Sequence, residues 1–203
     1  MNKWIIGARV KTLPAAISPV LVGTALATEV NWVNALLALI VSLALQISVN
    51  YANDYSDGVR GTDSNRVGPI RLVGSGLAAT VGSYYIQTQK ISGQSVLLSI
   101  PVGALACAIL VMNNLRDLPM DAQVGKRTFS VRIGDKNTRY FYVALLVLAQ
   151  VISAYAYTFN SYALLTLIWL PLTVKNCRLV LQGVTGKELI PLLISTARLQ
   201  LLD

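Results

Sequence analysis

Long apolar stretches alternate with short polar ones along most of this sequence. Four of them are strongly apolar and about twenty residues long, which predicts membrane-spanning helices over 13–30, 33–52, 94–112 and 140–159. Residues 161–174 are shorter but also strongly apolar, and residues 72–89 are a weaker candidate because they are rich in glycine and serine. A last stretch, 188–203, begins like another span and stops before it could cross a hydrocarbon core of about 30 Å. The pattern predicts an all-α fold, a single polytopic membrane helical bundle over residues 1–203 with about six spans.

Composition supports a membrane protein and excludes several kinds of site. Only 13% of the 203 residues are charged and 54% are hydrophobic, whereas soluble domains carry about 25% charged residues. The sequence has no histidine, which excludes zinc ligation by imidazole and histidine general bases. Cys107 and Cys177 lie in or beside apolar stretches and support neither a disulfide framework nor a metal site. The net charge of +8 is better explained by membrane topology than by binding of nucleic acid.

The basic residues test which segments cross the membrane. With a cytoplasmic N-terminus and a true span at 72–89, 15 of the 17 Lys and Arg residues lie on the cytoplasmic face; Lys90 lies outside and Arg198 belongs to the last segment. Without that span, the six basic residues of 114–139 would move outside, against the positive-inside rule. We therefore expect 72–89 to span the membrane, and the polar segments 53–71 and 114–139 to share its cytoplasmic face.

Acidic residues are rare in this chain, and the first group of them follows a predicted span. Asn50, Asp54 and Asp57 lie at positions i, i+4 and i+7. Asn53 lies four residues before Asp57, and Asp63 follows a short distance later. Residues at the helical spacings share one face of a helix, so this group would present its side chains together.

A second group, at the end of the span 94–112, repeats this arrangement. Asn113, Asp117 and Asp121 are again four residues apart. Carboxylates placed close together repel one another, so a cation should join them. Oxygen ligands without His or Cys suit Mg²⁺, which keeps several waters and commonly bridges to phosphate oxygens.

Basic residues follow each acidic group. Arg60 and Arg66 come after the first group, and Lys126, Arg127 and Arg132 come after the second. Carboxylate-bound Mg²⁺ beside Arg and Lys side chains is an arrangement that binds a diphosphate. The two groups of acids therefore indicate a site for a diphosphate ester.

The alternative is that these segments are solvated loops whose charges only fix the topology. We adopt this interpretation for Asp135, Lys136 and Arg139. For the two Asn/Asp groups we favour a function, because neutral polar residues would solvate a loop equally well and topology does not require acids at helical spacing.

The same segments resemble a known family. The stretches "NDYSDGVRGTD", "RVGPIRLVGSG" and "NNLRDLPMDAQVGKRTFSVRIGD" are similar to the UbiA-type intramembrane prenyltransferases, and "ARVKTLPAAISPVLVGTALA" also fits. Within that family the chain most resembles the branch that acts on 1,4-dihydroxy-2-naphthoate in menaquinone biosynthesis. The similarity covers essentially the whole chain.

The resemblance implies a helical bundle with a central cavity and two aspartate-rich motifs at its cytoplasmic end. By position, the implied Mg²⁺ ligands are Asn53, Asp54, Asp57, Asp63, Asp117 and Asp121. The implied catalytic residues among them are Asp54, Asp57, Asp117 and Asp121. Candidates for contact with the diphosphate are Arg60, Lys126 and Arg127.

The implied reaction is Mg²⁺-dependent transfer of a polyprenyl chain from polyprenyl diphosphate to 1,4-dihydroxy-2-naphthoate. In this branch the ring carboxylate leaves as CO₂, and the product is demethylmenaquinol. The implied location is the plasma (inner) membrane, with the lipid bilayer holding the prenyl tail and the active site on the cytoplasmic face. The resemblance does not specify an oligomeric state.

The sequence departs from the family in length. It has about six spans where the family has about nine. Residues before Leu77 resemble the start of the family's third helix and residues after Thr80 the end of the fifth, so we expect an internal shortening there and a truncated last helix.

Two other functions remain open at this stage. A shortened chain could be a catalytically inactive remnant that acts only as a membrane or interaction protein. A Mg²⁺ or anion transporter is less favoured, because transporters place ionisable groups near the bilayer midplane and this chain keeps acids out of its spans.

Overall fold

The computed structural model describes residues 10–60 and 70–202, with the side chains of 11, 49, 51–60, 70–76 and 162 outside the description. Within these ranges the chain forms seven α-helices: α1 Pro14–Ala25, α2 Trp32–Arg60, α3 Ile70–Thr88, α4 Gly93–Gln123, α5 Phe129–Tyr155, α6 Leu170–Leu181 and α7 Leu189–Leu202. Short 3-10 helices occupy Val10–Thr12, Ala156–Thr158, Ser161–Trp169 and Gly186–Glu188. No strand occurs in the described ranges, which confirms the predicted all-α fold.

Several helices have the dimensions of membrane spans. Within the described part of the chain, three segments are long and apolar enough to cross a membrane: Gly93–Gln123, Phe129–Thr158 and Ala163–Leu181. Two shorter apolar helices, Pro14–Ala25 and Trp32–Ser48, accompany them. These elements confirm the membrane helical bundle, while the total of six spans stays a prediction.

The predicted short span at 161–174 is displaced along the chain. The structure places a 3-10 helix over Ser161–Trp169 and then α6, which continues to Leu181. Pro171 stands in the first turn of α6, where the missing N–H of proline is tolerated. The apolar segment therefore ends later than predicted and carries Lys175 and Arg178 in its last turns.

Two side-chain hydrogen bonds show that the first helices alternate in direction. In the second half of α2, Asn50 Nδ2 donates to Thr12 Oγ1, just before α1, over 3.2 Å. Near the start of α2, Asn34 Nδ2 donates to the carbonyl oxygen of Ile86, near the end of α3, over 3.0 Å. The alternation continues through α4 and α5, which short connections join. The C-terminal ends of α2 and α4 and the N-terminal end of α5 therefore lie at one end of the bundle, called here the acidic end.

Helix α4 forms the centre of the bundle and packs against α1, α3, α5 and α7. It begins with a reciprocal cap: Ser95 N donates to Ser92 Oγ over 3.0 Å, and Ser92 N donates to Ser95 Oγ over 3.2 Å. This capping box satisfies two N–H groups at the start of the helix. The most deeply buried core side chains include Cys107, Ala108, Val111, Met112, Tyr142, Leu146 and Leu189.

A buried polar contact joins α5 to α7. Tyr142 Oη lies 2.6 Å from Thr196 Oγ1, and both side chains are buried. Thr196 donates its own hydroxyl proton to the carbonyl oxygen of Leu192 over 2.8 Å. Tyr142 is therefore the donor of the pair, and its hydroxyl is satisfied within the apolar core.

Arg139 corrects a prediction. We expected Asp135, Lys136 and Arg139 to be solvated charges that only fix topology, and this is wrong for Arg139, which is 6% exposed. Its guanidinium binds both carboxylate oxygens of Asp135 at 2.7 and 2.9 Å and donates to two carbonyl oxygens near the end of α6. Helix α5 bends at Gly134, which has a φ of 81°, so the helical turn that pairs these residues begins just after the bend.

Helices α1 and α3 approach closely at Gly23. A Cβ placed on this glycine would collide with the carbonyl oxygen of Thr80 and would lie 2.7 Å from the Cβ of Ser83 and 2.9 Å from the backbone nitrogen of Tyr84. The absence of a side chain at Gly23 therefore sets the distance between the two helices, as small residues do where membrane helices pack.

Candidate functional site

The last turns of α4 place two carboxylates on one face at the acidic end. Asp117 and Asp121 both belong to α4, one helical turn apart. Their exposure differs: the side chain of Asp117 is 46% exposed, whereas that of Asp121 is 11% exposed. The prediction that these residues extend from the end of a span on a helix is confirmed.

The chain turns sharply after α4 and returns a cation to Asp121. Gly125 has a φ of 72°, its N–H donates to the carbonyl oxygen of Ala122 over 3.3 Å, and Lys126 N donates to the carbonyl oxygen of Asp121 over 2.8 Å. This pair of bonds is a Schellman motif, in which glycine takes the left-handed conformation. The turn brings Lys126 Nζ to 3.8 Å from the carboxylate of Asp121.

Asp117 has a different partner. Its two oxygens accept hydrogen bonds of 2.7 Å from Nε and from Nη2 of Arg116. Arg127, the other predicted cation of this loop, is exposed. The acidic end of α4 therefore carries two carboxylates, each beside a basic side chain.

The first predicted group of acids lies on the last turns of α2. The backbone of Asn53, Asp54, Asp57 and Arg60 is helical, which agrees with the helical spacing expected for them. Their side chains lie outside the described set, and Asp63 lies outside the described residues altogether. The structure thus places this part of α2 at the acidic end, and contacts between the two groups stay a prediction.

The described donors fit part of a Mg²⁺ site. Among the described residues, no three acidic, Cys or His side chains converge as a metal-binding group. Asp117 and Asp121 offer carboxylate oxygens from one helix face, which are the ligands of a hard cation that keeps most of its waters. Further ligands would have to come from the end of α2.

Two residues of this site were not predicted from the sequence. Arg116 was counted only as a topology charge, yet it binds Asp117. Gly125 was not identified, although a glycine followed by a lysine just after a helical stretch is the usual signal of a left-handed helix end. Arg116 balances the charge of Asp117, and Gly125 forms the turn that brings Lys126 to Asp121.

A partly open cavity of about 240 Å³ lies between α1, α4, α7 and the segment after α5. Its walls are mostly apolar, including Val22, Pro101 and Leu105, with polar groups from Ser153 and Gln200. The cavity lies in the half of the bundle opposite the acidic end, so it is separate from the carboxylates.

Comparison with known proteins gives consistent matches. Residues 69–188 match the profile described as the UbiA prenyltransferase family. The chain is 35% identical, over 266 aligned positions, to the 1,4-dihydroxy-2-naphthoate octaprenyltransferase of Mycobacterium tuberculosis, covering 96% of this chain and 91% of that protein. The proteins of the same name from Mycobacterium leprae and Escherichia coli are 34% and 29% identical, each over 96% of this chain and 90% of the relative.

The alignments are longer than the chain itself. The 266 aligned positions exceed the 203 residues present by more than 60, so the Mycobacterium tuberculosis relative contains internal residues without a counterpart here.

Proposed function

We propose that this chain, which belongs to the UbiA prenyltransferase family, transfers a polyprenyl chain from its diphosphate to 1,4-dihydroxy-2-naphthoate in menaquinone biosynthesis. The observation that carries the proposal is the pair Asp117 and Asp121, one turn apart at the acidic end, with Lys126 held beside Asp121. The names of the relatives supply the acceptor.

We assign Mg²⁺ to the acidic end, held by Asp117 and Asp121 of α4 together with Asn53, Asp54, Asp57 and Asp63 of the first group. When bound, Mg²⁺ would neutralise charge on the diphosphate oxygens and so stabilise the leaving group. The carboxylates at the end of α4 fit this role because they are hard oxygen donors on one helix face.

The basic side chains would bind the diphosphate itself. Lys126 is held next to Asp121 by the backbone turn at Gly125, and Arg127 follows it on the exposed side. Arg60 stands at the end of α2, at the same end of the bundle. Cations fixed around a departing diphosphate lower the barrier because they are positioned before charge develops on it.

The chemistry requires no histidine base. The bond between the allylic carbon and the diphosphate oxygen breaks, and the electron-rich ring carbon that carries the carboxylate forms the new carbon–carbon bond. Loss of CO₂ from that carbon returns the electron pair to the ring and gives demethylmenaquinol. No ring proton has to be removed, which agrees with a sequence that lacks histidine.

The proposed location is the plasma (inner) membrane, with the acidic end on the cytoplasmic face. The apolar helices would place the prenyl tail in a water-poor bundle, where a carbocation is protected from capture by water. The 15 basic residues that we place at the cytoplasmic side favour this orientation.

A second candidate function rests on the length of the chain. The relatives contain more than 60 additional internal positions, and we propose that they belong between Leu77 and Thr80, where two spans and a loop would add about 50 to 70 residues. Without them, one wall of the central cavity that the family resemblance implies would be open. The chain would then be a catalytically inactive, shortened member that acts only as a membrane or interaction protein.

Turnover by the purified chain separates the two candidates. If the additional residues are required, the 203-residue chain should show little or no Mg²⁺-dependent release of diphosphate in nanodiscs. A version with the internal segment of the Mycobacterium tuberculosis relative restored should form prenylated naphthoquinol. Robust turnover by the short chain would show that the additional helices are dispensable, and no turnover by either protein would overturn the proposed reaction.

Two substitutions in the restored chain test the ligand assignment. Asp57→Asn and Asp117→Asn are nearly isosteric but remove a charge that Mg²⁺ needs, so each should lower turnover by about a hundredfold or more. Glu188→Gln removes an exposed acid at the same end, outside the two motifs, and should leave turnover unchanged. Full activity of either Asn variant at ordinary Mg²⁺ would contradict the assignment.

A further inference from the structure

A groove of about 670 Å³ runs along the outer face of α6, on the opposite side from its buried residues. Its apolar half is lined by Leu167, Leu170 and Val174, and its polar half by Lys175, Arg178 and Gln182. The two halves follow one another along the helix towards the acidic end. Along the groove, apolar side chains therefore give way to basic ones towards the acidic end. This is the order expected of a surface that passes from the hydrocarbon core to the headgroups of a membrane.

Within the part of the chain that the structure describes, the two cations of the groove lack a counter-charge. Neither the Lys175 nor the Arg178 side chain forms an ion pair or hydrogen bond within the described residues, and both are exposed. Arg139 provides the contrast: it approaches the end of α6 from the core side, where Asp135 and two carbonyl oxygens satisfy it. The outer cations therefore remain available to an external anion.

The dimensions of the groove match one membrane leaflet. Leu167 and Arg178 are 11 residues apart, which corresponds to about 18 Å along the end of the 3-10 helix and α6. Half of the hydrocarbon core of a bilayer is about 15 Å thick. A chain anchored at Arg178 would therefore reach the bilayer centre alongside Leu167.

We propose that this groove binds an anionic diacyl phospholipid. Lys175 and Arg178 hold its phosphodiester, Gln182 donates to the polar headgroup, and the acyl chains lie against Leu170 and Val174. Exposed apolar surface alone would accept any lipid, so the selectivity comes from the two cations at headgroup depth. Lys and Arg near a membrane surface are attracted to anionic lipids, and a groove with apolar walls adds shape to that attraction.

Thermal stability of the purified chain in detergent tests the proposal. Dioleoylphosphatidylglycerol should raise the apparent melting temperature by about 4 °C, and dioleoylphosphatidylcholine should have little effect. In the double variant Lys175→Gln, Arg178→Gln this rise should fall by more than half, with about tenfold weaker binding of the anionic lipid. Each single variant should show an intermediate loss.

The matched control is the double variant Lys136→Gln, Lys187→Gln, which removes two exposed cations at the same end but outside the groove. It should retain the full response to the anionic lipid. The proposal would be overturned if the control lost as much of the response, or if the two lipids had equal effects. It would also be overturned if inorganic phosphate at matched ionic strength fully replaced the effect of the lipid.

Discussion

The guanidinium of Arg139 donates a hydrogen bond of 2.7 Å to the carbonyl oxygen of Val180, which joins residues 41 positions apart. The same nitrogen donates to the carbonyl oxygen of Val184 over 3.0 Å. The last carbonyl groups of a helix have no partner within that helix, and a cation near them is favoured by the helix dipole. The side chain of Arg139 in α5 therefore caps the C-terminal end of α6.

The first prediction is that Arg139→Gln lowers the free energy of unfolding by about 2 kcal/mol, because it removes the buried guanidinium that binds Asp135 and the carbonyl oxygens of Val180 and Val184. The measurement is chemical or thermal unfolding in detergent. Lys136→Gln, one turn away and exposed, is the control and should change stability little. Equal effects of the two substitutions would show that Arg139 acts only as a surface charge.

The second prediction concerns the contact of α1 with α3. Gly23→Ala should destabilise the protein by about 1 to 3 kcal/mol, because the new methyl group would collide with the backbone at Thr80. Gly82→Ala is the matched control on α3, where a Cβ meets nothing within 4 Å. It should be neutral or slightly stabilising, because alanine favours helix over glycine. A stable Gly23→Ala protein would mean that the two helices can separate freely.

The third prediction concerns the turn after α4. Gly125→Ala has room for a methyl group but forces a left-handed conformation on alanine, which should cost about 1 kcal/mol. The turn also positions Lys126, so we expect about tenfold weaker binding of a prenyl diphosphate analogue. Gly186→Ala imposes the same kind of strain at a φ of 57°, in the connection between α6 and α7, and should affect stability alone. If both variants bound the analogue with the same affinity, the turn at Gly125 would have no role in binding.

The fourth prediction concerns orientation. Single cysteines replacing Gln123, Gln94 and Thr158 can be labelled from either side in a background without Cys107 and Cys177. All three positions are exposed, and the structure places the first at the acidic end and the other two at the opposite end. Only the first should react from the cytoplasmic side. Labelling of all three from one side would contradict the proposed topology.

The helices could be predicted from the sequence because membrane spans leave a simple signal. The apolar stretches mark α2, α4 and α5, and the four-residue spacing of Asp117 and Asp121 correctly indicated that the helix continues past the apolar part. Spacing works here because residues one turn apart must share a face, whatever the surrounding fold.

The surroundings of single charges could not be predicted in the same way. Arg139 and Lys136 are neighbours with similar composition around them, yet only Arg139 is buried, because the bend at Gly134 and the distant end of α6 determine its partners. Likewise, the 3-10 helix at Ser161–Trp169 packs against α5, whereas its apolar residues alone suggest an ordinary α-helix.

Helix α3 is continuous from Ile70 to Thr88, across the place where we propose that relatives contain additional residues. A deletion that removes two crossings from the middle of such helices joins two half-helices into one of normal length. The joined helix would insert into the membrane as an ordinary hydrophobic segment, and every later segment would keep its original orientation. Shortened proteins of this kind would therefore keep both acidic groups on the same face of the membrane.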